Sequence, residues 1–153
     1  MTRPSILCAT DFTAASDEAL TLATEEAKRR NATLDLIHVW YPVDPVPVDM
    51  SGIGLPVYDT ELPNELRQKL DDVSVELPPD HVRRHLEMGP AADEIVRKAE
   101  ELGSELLVVG SHSRGPIMRW FVGSVATDLL RMSPCPILVC RTPHPADPTE
   151  ANS

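Results

Sequence analysis

At 153 residues the chain is long enough for one domain with a full core and too short for two of ordinary size. Hydrophobic residues at 42% and charged residues at 25% exclude a disordered chain, and no apolar run reaches the length of a membrane span. A formal charge of −10 argues against nucleic acid or an anionic membrane as partner.

Residues 5–10 (SILCAT) form a short apolar run that predicts a buried strand. A helix follows over residues 14–30, where Ala15, Ala19, Leu22, Ala23 and Ala27 recur at helical spacing. Thr13 suits its N-cap, Asp17 and Glu18 its positive end, and Lys28, Arg29 and Arg30 its C-terminus. Residues 33–40 (TLDLIHVW), rich in β-formers, predict a second strand. Residues 41–60 hold Pro42, Pro45, Pro47 and Pro56 with Gly52 and Gly54, which forbid a continuous helix and disfavour a central strand. A connection of this length is either a variable surface loop or a lid.

A second helix is expected from about residue 61, with Leu62, Leu66, Leu70 and Val73 on one face, and a third strand over residues 82–88. Residues 90–102 read as a helix with Ala92, Ile95, Val96, Ala99 and Leu102 inward, opened by Pro90 and ended by Gly103. Residues 105–109 (ELLVV) predict a buried strand. Val122, Val125, Leu129 and Met132 predict a fourth helical stripe, and residues 136–140 (PILVC) a fifth strand. Residues 142–153 are polar and proline-rich and are expected to be disordered, leaving residues 1–141 as the domain.

Strands alternating with helices predict an α/β fold: a doubly wound, Rossmann-like five-stranded parallel sheet of order 3-2-1-4-5 with helices on both faces. Ligands of such sheets bind beyond the carboxyl ends of the strands, where the winding reverses. The turn after the first strand, holding Thr10 and Asp11, and the loop from Gly110 are therefore the places to search. Residues 105–141 also carry Arg114, Arg119, Arg131 and Arg141 against only Glu105 and Asp128, a mildly positive segment that suits a small anion better than a polyanion.

The segment VVGSHSRGPIMRWFVGSVATDLL leaves a strand at Gly110, passes Gly115 and enters a helix at Gly123 and Ser124. Glycine backbone, amides at a helix start and a serine hydroxyl together describe a phosphate cradle. Glycines between a strand and a helix also serve only to turn the chain. No G-K-[ST] tripeptide and no G-x-G-x-x-G is present, so neither a Walker loop nor a dinucleotide fingerprint applies. Asp11 reads equally as a helix cap. His112 has no partnered nucleophile or metal cluster and reads as solvent-facing; His38 reads as packed among aliphatics, and His81 and His85 as decoration of an exposed edge. Cys8 and Cys140 lie in apolar runs and Cys135 between prolines, without metal spacing, so free thiols in a reducing compartment are expected. The opening MTRPSILCATDF lacks the apolar stretch of a signal peptide, and the expected location is cytoplasmic.

From SILCATDF to PCPILVC the chain resembles the universal stress proteins. The resemblance is carried by the TDF-T end of the first strand, HVW, MGPAADEI, ELLVVGSHSRG, VGSVATDLL and PCPILV, in that order. ATP-binding members carry G-x2-G-x9-G-[ST], and Gly110, position 113 and Gly123-Ser124 reproduce the spacing, with Ser113 in place of the middle glycine. If that position needs a positive φ, serine costs about 1 kcal/mol there. The resemblance implies ATP, with Mg²⁺ accompanying the nucleotide, as cofactor. Thr10 and Asp11 would approach the ribose and adenine, Val39 would meet adenine through its backbone, and Gly110 would pass near the ribose. Ser113, Gly123, Ser124 and Val125 would surround the phosphates, with Arg114 as a charge-compensating candidate.

The resemblance further implies a homodimer paired through the last strand, with the protein partner unknown, and a regulatory stress-response role with at most slow ATP hydrolysis. A nucleotide-free dimerisation module with a drifted loop, and an ATP-hydrolysing or adenylyl-transferring enzyme, remain as alternatives.

Overall fold

The sheet of the protein is built from five short runs, of which β1 (Ser5–Ala9) and β4 (Leu106–Gly110) are almost wholly buried, as strands covered on two sides require. The computed structural model describes residues 2–41, 61–111 and 123–141. It contains β1 (Ser5–Ala9), α1 (Ala14–Arg30), β2 (Thr33–Trp40), α2 (Leu62–Asp71), β3 (Val82–Met88), α3 (Ala91–Leu102), β4 (Leu106–Gly110), α4 (Ser124–Met132) and β5 (Ile137–Cys140). All four pairings are parallel and the order is β3-β2-β1-β4-β5, as the alternation predicts. The loop expected over residues 41–60 lies, apart from Tyr41, outside the described residues, as does the expected tail.

Period-two alternation divides the core between the sheet faces. Ile6, Cys8, Leu34, Leu36, Leu106 and Val108 join Ala19, Ala23 and Ala27 of α1 and Leu70 of α2. Leu7, Ile37, Leu107 and Val109 join Ile95 and Ala99 of α3 and Ala126 and Leu129 of α4. The alanine stripe of α1 lets that helix lie close to the strands. At its upper end the approach is closest: a Cβ added to Gly110 would stand 2.9 Å from the carbonyl carbon and oxygen of Ala15. Gly110 is thus a glycine for packing reasons before any ligand is considered.

Helix ends follow local chemistry. Thr13, extended at φ −93° and ψ 166°, precedes α1, and Asn31 ends it in the left-handed region at φ 51°, its amide donating to Ala27. Pro90 caps α3, one residue before the first-turn position expected for it, and Gly103 closes that helix at φ 60°. The Arg84 guanidinium donates to the carbonyls of Leu70 and Val73 at 3.2 and 2.8 Å, tying the end of α2 to β3. The inward side of α4 departs from the predicted stripe. Ala126 and Leu129 are buried, whereas Val125 and Met132 are 38% and 40% exposed; Val122 lies outside the described residues. The stripe of large residues belongs to a helix only half covered, and the small Ala126 occupies the position nearest the sheet.

The other correction concerns β3. His85 does not decorate an exposed edge. Its Nε2 lies 2.8 Å from Oδ1 of Asp35, a β2 carboxylate entirely out of solvent. Arg83 grips the same carboxylate in bidentate fashion at 2.7 and 2.8 Å, and Ser5 donates to it at 2.7 Å. Glu87, further along the same face, pairs with the buried Lys98 of α3 at 2.8 Å. Polar residues along β3 therefore answer charges inside the fold while blunting an edge strand. Burial alone would raise the Asp35 pKa; the bonds from His85, Arg83 and Ser5 outweigh it and hold the carboxyl below its ordinary 3.8.

A depressed folded-state pKa means that the stabilisation is complete above the unfolded value and is lost as pH falls through it toward the folded one. Asp35→Asn is expected to lower stability at neutral pH by about 1–3 kcal/mol. Urea unfolding of this variant should also show a smaller further loss between pH 5 and 3 than the native chain. An unchanged midpoint at neutral pH would refute the role given to this carboxylate.

Candidate functional site

The carboxyl ends of β1 and β4 diverge at the point where the sheet reverses its winding, and a cleft opens there. Its cavity of about 120 Å³ is lined by Ala9, Thr10, Asp11, Ser16, Ile37, Val39, Ala91, Ile95, Val109, Gly110, Ser111, Gly123, Val125 and Ala126. Six residues picked from sequence, Thr10, Asp11, Val39, Gly110, Gly123 and Val125, thus line the wall of one cavity. Ser124 is the first residue of α4, beside that wall but not in it. Ser113 and Arg114, with His112, Gly115 and Arg119, lie outside the described residues.

The turn from β1 into α1 is a dense hydrogen-bond network. The Thr10 amide donates to Ile37 at 2.9 Å, and its hydroxyl accepts from the Phe12 amide at 3.0 Å while meeting Ser16 Oγ at 3.2 Å. Asp11 Oδ1 accepts from the Thr13 amide at 3.1 Å and from the Thr13 hydroxyl. One carboxylate oxygen is therefore spent on shaping the turn ahead of the N-cap Thr13, while Oδ2 takes no hydrogen bond from the described residues. His38, expected to be a packed strand-end residue, has Nδ1 at 2.7 Å from the Thr10 carbonyl. A carbonyl can only accept, so Nδ1 carries the proton. Burial pushes the His38 pKa below its ordinary 6.5 against the opposing pull of that bond.

On the other wall, the Ser111 amide donates to Cys140 at 2.7 Å and the Gly123 amide to the Ser111 carbonyl at 2.6 Å. Both amides already have protein acceptors. The first-turn amides of α4, at Ser124, Val125 and Ala126, are those that a helix cannot satisfy within itself, and they face the end where the macrodipole is positive. The floor and sides are aliphatic, from Ile37, Val39, Ile95 and Val109. Asp11 stands exposed at the rim as the one ionisable group among the described lining residues. Ser16, Ser111, Ala91 and Ile95 were not singled out from sequence. Ser111 was within reach, since it follows the last residue of a strand pointing at the switch point; Ala91 and Ile95 carried no signal beyond helix periodicity. Among the described residues no group of three or more His, Cys, Asp or Glu is placed to hold a metal, and no helix is long and apolar enough to cross a membrane. Cys8, Cys135 and Cys140 are free, and burial raises the pKa of the Cys8 and Cys140 thiols.

Fold and cleft together define a Rossmann-like α/β domain with its site at the carboxyl ends of parallel strands. The model of the universal stress protein family matches residues 2–141, and the chain belongs to that family. It is 30% identical over 139 residues to universal stress protein A homolog 1 of Coxiella burnetii, covering 87% of this chain and 92% of that one. It is also 30% identical over 136 residues to a universal stress protein of Mycobacterium tuberculosis, of whose length it spans only 44%. The fold matches universal stress protein UspA from Lactobacillus plantarum with a TM-score of 0.68 at 21% identity, over 92% of this chain and 99% of that one. Two further universal stress proteins of the same fold were solved with nucleotides. One, in complex with cAMP, matches with a TM-score of 0.59 at 21% identity, over 92% of this chain and 98% of that one. The other, from Archaeoglobus fulgidus in complex with dAMP, matches with 0.54 at 21%, over 90% and 97%.

The contact at Gly110 yields a test of its own. Gly110→Ala is expected to destabilise the ligand-free protein by about 1–3 kcal/mol through overpacking against Ala15. Thermal unfolding without added ligand would read it; an unchanged midpoint would mean that α1 yields without cost.

Proposed function

We propose that the chain binds an adenine nucleotide at the β1–β4 cleft, with ATP and its accompanying Mg²⁺ as the leading ligand, and acts as a cytoplasmic regulatory homodimer rather than a fast enzyme. The observation that carries this reading is the convergence of three chemistries on one cavity. Aliphatic walls suit a base, a rim carboxylate whose Oδ2 takes no hydrogen bond from the described residues suits ribose hydroxyls, and the first-turn amides of α4, which the helix itself cannot satisfy, suit a phosphate. At about 120 Å³ the cavity is smaller than the roughly 300–1,000 Å³ that whole ligands fill, so it would take one part of the nucleotide while the rest crosses the rim. The cAMP and dAMP complexes of proteins with this fold support a nucleotide as occupant.

In this reading Thr10 and Asp11 take the ribose side, Val39 and Gly110 the base and ribose, and Ser113, Gly123, Ser124 and Val125 the phosphates, with Arg114 compensating charge. Rapid phosphoryl transfer needs charge clamps and a base or a water-orienting group. The described wall offers Asp11 alone, which supports slow hydrolysis at most. A second reading, a nucleotide-free dimerisation module, is favoured by one specific observation: the Gly123 amide, expected in the phosphate cradle, is already bonded to Ser111.

Dimerisation is assigned to β5, a four-residue edge strand without a charged residue. Leu138 is its exposed apolar residue at 37%, whereas Val139 packs toward the α3–α4 core. Edges of this kind are normally covered or paired.

Isothermal titration with Mg-ATP is expected to give saturable heat, weakened about tenfold or more in Asp11→Ala through loss of a charged hydrogen-bond acceptor. Absence of heat at millimolar nucleotide would leave the dimerisation module as the function. Leu138→Asp is expected to yield a folded monomer by light scattering; a dimer of unchanged mass would move the interface elsewhere.

A further inference from the structure

Phe12 has the least expected backbone in the first turn. Its φ of 62° sets a bulky aromatic residue in the left-handed region, where the Cβ crowds the carbonyl and glycine is the usual occupant. Such outliers persist only where their surroundings over-determine them. Here the ring has two partners. Its centroid lies 4.5 Å from that of His38, tilted by 42°, and the Lys69 ammonium of α2 stands 4.7 Å over its face. The ring also packs against the core shared by α1 and α2. His38 meanwhile grips the Thr10 carbonyl, two residues before Phe12, at 2.7 Å. Neither Phe12 nor His38 lines the cavity, yet Thr10 and Asp11 between them do. A return of Phe12 to negative φ would rotate the Asp11–Phe12 peptide and carry the carboxylate off the rim.

We propose that Phe12 is a positioning residue: with its ring held by His38 and Lys69, it fixes the turn that presents Asp11 to the ribose hydroxyls of an adenine nucleotide, and so sets affinity without touching the ligand. The proposal rests on the nucleotide reading above. It also makes α2, through Lys69, an element whose displacement alters the cleft from outside.

The test is a double-mutant cycle on the full chain, titrated with Mg-ATP, using Phe12→Leu, Asp11→Asn and the double variant, with melting temperature recorded for each. Phe12→Leu should weaken binding about tenfold, as when the competent turn is populated in about a tenth of molecules. In the Asp11→Asn background the same change should have little effect, because the group it positions is gone. His38→Ala should weaken binding similarly, and His38→Asn, whose amide can replace Nδ1 as donor to Thr10, should recover most of the loss. An equal factor for Phe12→Leu in both backgrounds, or a lowered melting temperature with unchanged affinity, would reduce Phe12 to packing and overturn the proposal alone. Native protein that takes up no Mg-ATP would remove the nucleotide reading and this proposal with it.

Discussion

The first turn of α1 comes so near the last residue of β4 that Gly110 has no room for a Cβ, the Ala15 backbone filling the space. Because α1 sits this low, the turn leading into it must climb from β1 within a few residues, and Thr10–Thr13 is knitted by hydrogen bonds to itself and to β2. The alanine stripe at Ala15, Ala19, Ala23 and Ala27 is buried along the length of the helix. With α1 so tightly seated at the mouth, the cleft between β1 and β4 is bounded by fixed backbone on one side. Preorganisation of this kind lowers the ordering cost of binding.

Below the cleft, the amino-terminal half of the sheet is organised around charge. A carboxylate wholly out of water on a central strand is tolerated because Arg83, His85 and Ser5 together satisfy it. Lys98 and Glu87 repeat the arrangement toward α3. The two edges of the sheet thus differ in character. β3 is studded with ions that commit it to its own domain, whereas β5 is short and apolar and has no strand on its outer side among the described residues. That asymmetry is why a partner subunit is assigned to one edge and not the other.

Much of this was legible in the residues. Strands and helices alternate with distinct periods, and α1 begins and ends where Thr13 and the basic run before Asn31 place it. The search positions beyond β1 and β4 coincide with the cleft. What escaped is what depends on neighbours distant in sequence. Asp35 in TLDLIHVW gives no sign of being the hub of the fold, because its partners at Ser5, Arg83 and His85 are brought to it only by strand register. The α4 face was misjudged for a related reason: hydrophobicity marks Val125 and Met132, but distance from the sheet selects Ala126. Likewise, no sequence motif distinguishes a glycine that admits a ligand from Gly110, which admits a helix.

The bond from the Gly123 amide to the Ser111 carbonyl joins the two ends of the stretch between them at its base. Helix α4 is thereby moored to the carboxyl end of β4, and the two elements bounding this side of the cleft keep their spacing through a backbone contact.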